Sequence, residues 1–103
     1  MGTDSKSRIF STFEKLPEEI QERIKLEYPS GFSDDLISFY DKDGIRISAL
    51  RFETEEKIYL VKMSVATAEK IIEEDDDYDD EGNLKEGVKE DYEEKHSSED
   101  DED

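Results

Sequence analysis

Residues 35–64 read "DLISFYDKDGIRISALRFETEEKIYLVKMS", and how this stretch is divided decides the fold. It contains three runs rich in β-branched and aromatic residues, separated by "DKDG" at residues 41–44 and "ETEEK" at residues 53–57. Both separators are short polar turns of hairpin length, so an antiparallel three-stranded meander is expected. The faces of that sheet follow from alternation. Along the third run Tyr59, Val61 and Met63 fall on one side and Ile58, Leu60 and Lys62 on the other; along the second, Leu50 and Phe52 oppose Ile45, Ile47 and Ala49. Neither side is polar. Two short helices cover one face of three strands, which leaves the other face, or an edge strand, with apolar area for a second molecule. The simpler expectation is that "RIFSTF" at residues 8–13, through Ile9, Phe10 and Phe13, folds across it; docking of a partner or a homodimer is the alternative.

Working outward, residues 15–31, "KLPEEIQERIKLEYPSG", carry the signals of an amphipathic helix. Pro17 suits a first turn, Glu18 and Glu19 suit the positive end of the helix dipole, and Leu16, Ile20 and Ile24 recur every four residues. Pro29 and Gly31 end it. After the third strand, "SVATAEKIIEE" at residues 64–74 offers Ser64 as N-cap and Val65, Ala68, Ile71 and Ile72 as an apolar helical face. The fold class expected is α+β: helix, three-stranded antiparallel meander, helix.

Charge then divides the chain. Residues 73–103 hold 18 acids and 3 lysines, a net of −15, whereas residues 1–72 hold 14 acids and 11 bases, a net of −3. Large apolar residues follow the same division: 25 lie between Ile9 and Ile72, and only Tyr78, Leu84, Val88 and Tyr92 beyond. So few apolar side chains among so many like charges predict a disordered acidic tail. The expected organisation is a flexible N-terminus over residues 1–7, a small α+β domain over 8–73 and a disordered acidic C-terminal tail over 74–103. A total charge of −18 repels free nucleic acid and anionic membranes over roughly 8 Å at physiological salt, so the expected partner is a protein with a basic surface. There is no cysteine, hence no disulfide framework, thiolate metal site or cysteine nucleophile. Neither a signal-peptide core at the N-terminus nor a run of about 18 apolar residues is visible, so a cytoplasmic location is expected.

The tail raises a cation question of its own. "DYDDEGNL" at residues 77–84 resembles the first half of a calcium loop: from Asp77, the third, fifth, sixth and eighth places hold Asp79, Glu81, Gly82 and Leu84. The twelfth place, where a bidentate glutamate belongs, is Val88. Asp77, Asp79 and Glu81 are therefore only a weak metal candidate, and no cofactor is expected. No catalytic set is expected either, because carboxylates on a mobile tail lack the fixed, desolvated geometry that separates proton affinities. His96 is the sole histidine and is expected in solvent; the glycines form no phosphate-cradling loop; Ser97 and Ser98 precede acids as an acidophilic kinase would need. Within "NLKEGVKEDYEEKH" at residues 83–96, Asn83 and Glu86 fit a capping box, and Leu84, Val88 and Tyr92 recur every four residues. A helix that folds on a partner is the reading there. Candidate partner-binding residues are thus Tyr59, Leu60, Met63, Leu84, Val88 and Tyr92.

A family resemblance rests on "YPSGF", on residues 35–64 and on the acidic "DDDYDDEG" at residues 75–82. Pro29, Gly31 and Phe32, then Ile37, Ser38, Phe39 and Gly44, then Thr54, Glu55 and the run Tyr59, Leu60, Val61, Lys62, Met63, Ser64 resemble a family of small uncharacterised acidic proteins of Bacteroidetes bacteria. The resemblance covers roughly residues 14–82. It implies a short helix, a turn, two characteristic strands and an aspartate-rich end; the lysine-containing stretch after Gly82 departs from that ending. Some members carry the label DNA primase, which these residues do not support: the chain has room for neither a nucleotide site nor a folded metal site, and its charge repels template. The function expected is a non-enzymatic protein-interaction module or accessory factor, with a folded domain for docking and an acidic tail that engages or shields basic surfaces. The alternatives are a DNA-mimic inhibitor of a DNA-binding protein, against which tail flexibility counts, and a weak calcium-binding protein.

Overall fold

A computed structural model describes residues 6–100, with side chains as far as His96. The elements are β1 (Ser7–Ser11), α1 (Glu18–Glu27), β2 (Ile37–Tyr40), β3 (Arg46–Glu53), β4 (Lys57–Lys62), α2 (Val65–Glu74) and α3 (Glu86–Asp100), with short 3-10 turns at Phe13–Lys15 and Ser33–Asp35. The class is α+β, with a mixed four-stranded sheet in the order β1-β4-β3-β2.

Local chemistry explains most boundaries. Pro17 precedes α1, and the Gln21 amide donates to the Phe13 and Leu16 carbonyls, which ties the preceding turn to the helix. Gly31, at φ +101, turns the chain after α1 in a conformation that side chains rarely adopt. Ser64 caps α2 by accepting from the Thr67 amide at 3.1 Å. In the β3–β4 turn the Thr54 hydroxyl accepts from the amides of Glu56 and Lys57. β2, β3 and β4 form the expected antiparallel meander, with Leu50 opposite Val61 and Phe52 opposite Tyr59.

The sheet gains a fourth strand that the expected meander lacked. β1 pairs in parallel with β4, Ile9 opposite Tyr59 and Phe10 opposite Leu60. Residues 8–11 therefore extend the sheet instead of crossing its face, alternation sends Ile9 toward the helices and Phe10 to the opposite side, and Phe13 in the following 3-10 turn is buried in the core. Of the N-terminus expected to be flexible, residues 1–5 lie outside the described residues, and Ser7 already opens β1.

The larger correction concerns residues 74–103. As far as it is described, this acidic region is folded, not disordered. Tyr78 and Leu84 form an isolated antiparallel bridge and belong to the same buried core as Phe13, Ile24, Phe32 and Val61. The Leu84 amide donates to the Pro29 carbonyl at 2.7 Å, the Tyr78 hydroxyl donates to the Tyr28 carbonyl at 3.1 Å, and the Tyr78 ring meets Phe32 edge-on. α3 packs on α1, with Val88 against the core. The helix begins at Glu86 without the expected capping box, because Asn83 belongs to the preceding turn, its amide donating to Asp79 and its carbonyl accepting from Asp79. Residues 101–103 lie outside the described residues. No helix among the described residues is long and apolar enough to cross a membrane.

Candidate functional site

Register places the sheet's side chains on two unlike faces. Ile9, Leu50, Phe52, Tyr59 and Val61 point toward α1 and α2 and are packed in or against the core. The opposite face carries Phe10, Ile37, Phe39, Ile58 and Leu60, and among the described residues no helix covers it. Phe10 is 53% exposed and Ile37 39%, values that mark an apolar sheet surface open to solvent. The Phe10 and Phe39 rings meet edge-on with centroids 6.2 Å apart although β4 and β3 separate their strands. Ala49, opposite Ile37 on the same face, is fully buried. Beside the rings runs a groove of about 320 Å3 lined by Arg8, Phe10, Ile37, Phe39, Arg51, Ile58 and Leu60.

The charges on this face are unusual for so acidic a chain. Among the described residues Arg8, Arg51 and Lys62, with Lys6 at the edge, share it with one carboxylate, Glu53. Glu53 already receives Lys6 and, at 2.9 Å, Arg51; hydrogen bonds from Lys6 and then Arg51, with the Lys6 charge, hold its carboxyl below the usual range. Arg8 and Lys62 have no ion-pair partner among the described residues. The open face is thus apolar with cations set among its hydrophobic side chains, Arg8 on the edge strand β1 and Arg51 and Lys62 on the central β3 and β4.

The acidic surface is built differently. On α1, Glu22 and Lys25 point toward the C-terminal region and are both buried. Lys25 Nζ lies 2.7 Å from Asp75 Oδ2 and 2.7 Å from Asp77 Oδ2. Burial alone pulls the Lys25 ammonium down, but the hydrogen bonds and charges of Asp75 and Asp77 outweigh it and raise it. Burial pushes the Asp77 carboxyl up, and hydrogen bonds from Lys25 and Tyr92 outweigh that and hold it below its ordinary value. Burial raises the Tyr78 and Tyr92 hydroxyls well above theirs, the Tyr92 bond to Asp77 adding to the effect. Glu22 Oε1 accepts from Lys95 at 2.9 Å and lies 3.0 Å from His96 Nε2. His96, expected in solvent, is buried because it closes α3 onto α1 at this glutamate.

The residues singled out in the sequence are redistributed accordingly. Tyr59, Met63 and Leu84 are core residues, only 7%, 6% and 8% exposed. Leu60 forms the floor of the open-face groove, only 9% exposed. Leu84, Val88 and Tyr92 do share one side of the chain's end, but the surface they meet is the chain's own core and Asp77. Asp77, Asp79 and Glu81 do not converge. Asp77 Oδ2 is taken by Lys25 and Tyr92, and Asp79 Oδ1 accepts from the Glu81 and Asn83 amides. No group of three His, Cys, Asp or Glu placed to hold a metal ion occurs among the described residues.

Glu22, Lys25 and His96 were missed because each reads as a surface charge on its own. The available signal was the pairing of opposite charges three apart on α1 with "KH" at the end of an otherwise acidic segment. Arg8, Phe10, Ile37, Phe39 and Arg51 were missed as one surface because their union requires β1 beside β4. No protein-family model matches this chain, no curated protein matches it, and no solved structure matches its fold.

Proposed function

We propose that the chain is a non-enzymatic protein-interaction module that docks through the open face of its sheet, while its acidic surface engages or shields basic surfaces in the same assembly. The observation that carries this reading is the unequal coverage of the sheet: helices bury one face, and Phe10, Ile37, Phe39 and Ile58 stand on the other. An apolar patch of this kind is costly to leave in water and is commonly an interaction surface. A non-enzymatic role is supported by how the titratable groups are used: His96, Glu22, Lys25 and Asp77 hold α3 and α1 together.

The test compares partners captured from host lysate at low and high salt by three proteins: the parent, Phe10→Ser/Phe39→Ser, and Glu90→Gln/Asp91→Asn/Glu93→Gln. The reading expects a salt-resistant partner that the first variant loses and the second keeps. Retention of every salt-resistant partner by Phe10→Ser/Phe39→Ser contradicts it.

A DNA-mimic function is the second reading, favoured by one specific observation. The carboxylates of α3 and of the preceding loop stand on backbone anchored by Lys25, Tyr78 and Leu84, and mimicry of phosphate spacing needs such fixed positions. In that case the neutralised α3 variant loses the ability to displace DNA from a basic DNA-binding protein and Phe10→Ser/Phe39→Ser keeps it.

A further inference from the structure

We infer that the open sheet face takes an anionic amphipathic helix, its apolar stripe laid over Ile58 and Leu60 and its carboxylates directed to Arg8 and Arg51. This rests on the docking reading and adds the chemistry of the partner. In a chain of net charge −18 this face carries Arg8, Arg51 and Lys62, with Lys6 bonded at its edge, against one carboxylate among the described residues, Glu53. Lys6 and Arg51 share Glu53, which leaves Arg8 and Lys62 without an ion-pair partner among the described residues. Cations beside an apolar strip are complementary to carboxylates flanking an apolar stripe, and such complementarity selects partners.

Arg8 stands on β1 beside Ile58, Arg51 stands on β3 beside Leu60, and β4 runs between them. Two strand spacings separate β1 from β3, about 10 Å. That is also about the diameter of an α-helix with its side chains. A helix along β4 thus has one arginine on each flank, and the groove beside Phe10 and Phe39 accepts its apolar side chains. The other face of the sheet is already covered by helices packed on the same alternating apolar pattern, so the partner helix would complete a three-layer arrangement.

The other occupants fit less well. A second copy related by a two-fold axis brings this cationic face against an identical one and adds the repulsion of two chains at −18. Nucleic acid, a denser polyanion than a helix with flanking carboxylates, is repelled by the same overall charge, and the apolar residues of the face give phosphates nothing.

The experiment titrates the nitrogen-labelled full chain, at physiological salt, with three synthetic helical peptides that share one leucine stripe and carry glutamate, glutamine or lysine at its flanks. The glutamate peptide is expected to shift the amides of Arg8, Phe10, Arg51, Ile58 and Leu60, and Arg8→Glu/Arg51→Glu is expected to weaken it by about tenfold or more. A dispersed spectrum confirms that this variant is folded, and the milder Arg8→Gln should weaken binding in the same direction. The lysine peptide is expected to shift only α3 and residues 75–85. Should the glutamine or lysine peptide bind the open face as tightly as the glutamate peptide, docking stands and the anionic partner is refuted. A dimer in sedimentation equilibrium that Phe10→Ser dissociates, or open-face shifts with a short thymidine oligonucleotide, refutes the helix in favour of a second copy or nucleic acid. Should no probe move these amides and no dimer form, both the inference and the docking reading fall.

Discussion

Residues 41–45, "DKDGI", and residues 79–83, "DDEGN", fold into the same turn. In the first, Asp41 Oδ1 accepts from the Asp43 and Ile45 amides at 2.9 and 3.0 Å; in the second, Asp79 Oδ1 accepts from the Glu81 and Asn83 amides at 2.9 and 3.0 Å. Gly44 and Gly82 occupy the same left-handed region, at φ 79° and 83°. The amides of both glycines donate to the aspartate carbonyl at 3.0 Å, and the aspartate amides donate to the residue four later at 2.9 and 2.8 Å. Each turn is preceded by a tyrosine, and there the likeness ends: Tyr40 is 69% exposed and Tyr78 5%. The first turn joins two strands at the rim of the sheet. The second folds the chain back so that Tyr78 and Leu84 enter the core between α1 and α2. An aspartate accepting from amides two and four residues on, with glycine at the fourth place, makes this turn among strand formers and among acids alike. The surroundings decide what the turn carries.

The sharpest way to break this comparison is to truncate the two tyrosines. Tyr78→Ala should destabilise the fold by about 3–5 kcal/mol, as a large buried ring does, whereas Tyr40→Ala should stay within about 0.5 kcal/mol. Urea unfolding of both variants measures the difference, and equal losses would mean that residues 78–84 contribute no more than a surface hairpin. Replacing the glycines sharpens the likeness instead. Gly82→Ala and Gly44→Ala should each cost about 1–2 kcal/mol, since strain at positive φ sets the penalty and an added Cβ meets nothing closer than 3.9 Å at Gly82 and nothing within 4 Å at Gly44. A much larger loss at Gly82 alone would show that close packing, not backbone conformation, requires it.

A smaller effect separates the two regions by pH. The Asp77 carboxyl is held below its ordinary value by Lys25 and Tyr92, so its contribution is present above the unfolded carboxylate range near 3.9 and is lost as pH falls through the lower folded value. Lys25 is raised, so its contribution persists below about 10.4 and is lost as pH rises through the folded value. Lys25→Met should flatten both limbs of a stability–pH curve measured by urea unfolding. The smallest expected effect is none: calcium should produce no saturable shift in the amides of residues 77–84, because Asp77 and Asp79 are already turned to Lys25, Tyr92 and the backbone.

Much of the meander was legible because its signals are local. Alternation assigned Leu50, Phe52, Tyr59 and Val61 to one face and Ile58 and Leu60 to the other, and spacing placed Ile20 and Ile24 on one side of α1. β1 was not legible, since two apolar residues between serines carry little strand signal and its pairing with β4 bridges some fifty positions of chain. The acidic third was misread for a different reason. Averaging charge over residues 73–103 hides the placement of Tyr78, Leu84, Val88 and Tyr92, each of which meets the core or Asp77. Lys25 then meets Asp75 and Asp77, which the average counts as mutually repelling, and Lys95 and His96 meet Glu22 of α1, which lies outside the averaged stretch. Val65 shows the opposite error, since its helical spacing with Ala68 and Ile72 predicts burial and it stands 54% exposed at the start of α2. The candidate surface was half visible: an apolar second sheet face was expected, but Arg8 and Phe10 join it only once β1 is in place.

The central claim is that residues 75–96 fold as part of one cooperative core, and native-state amide hydrogen exchange at Leu84 tests it most directly. Its amide is hydrogen-bonded to the Pro29 carbonyl beneath a buried side chain, so it should exchange only through global opening, with the protection of Val61 in β4. Exchange of the Leu84 amide at the rate of an unstructured peptide, while Val61 stays protected, would contradict the account.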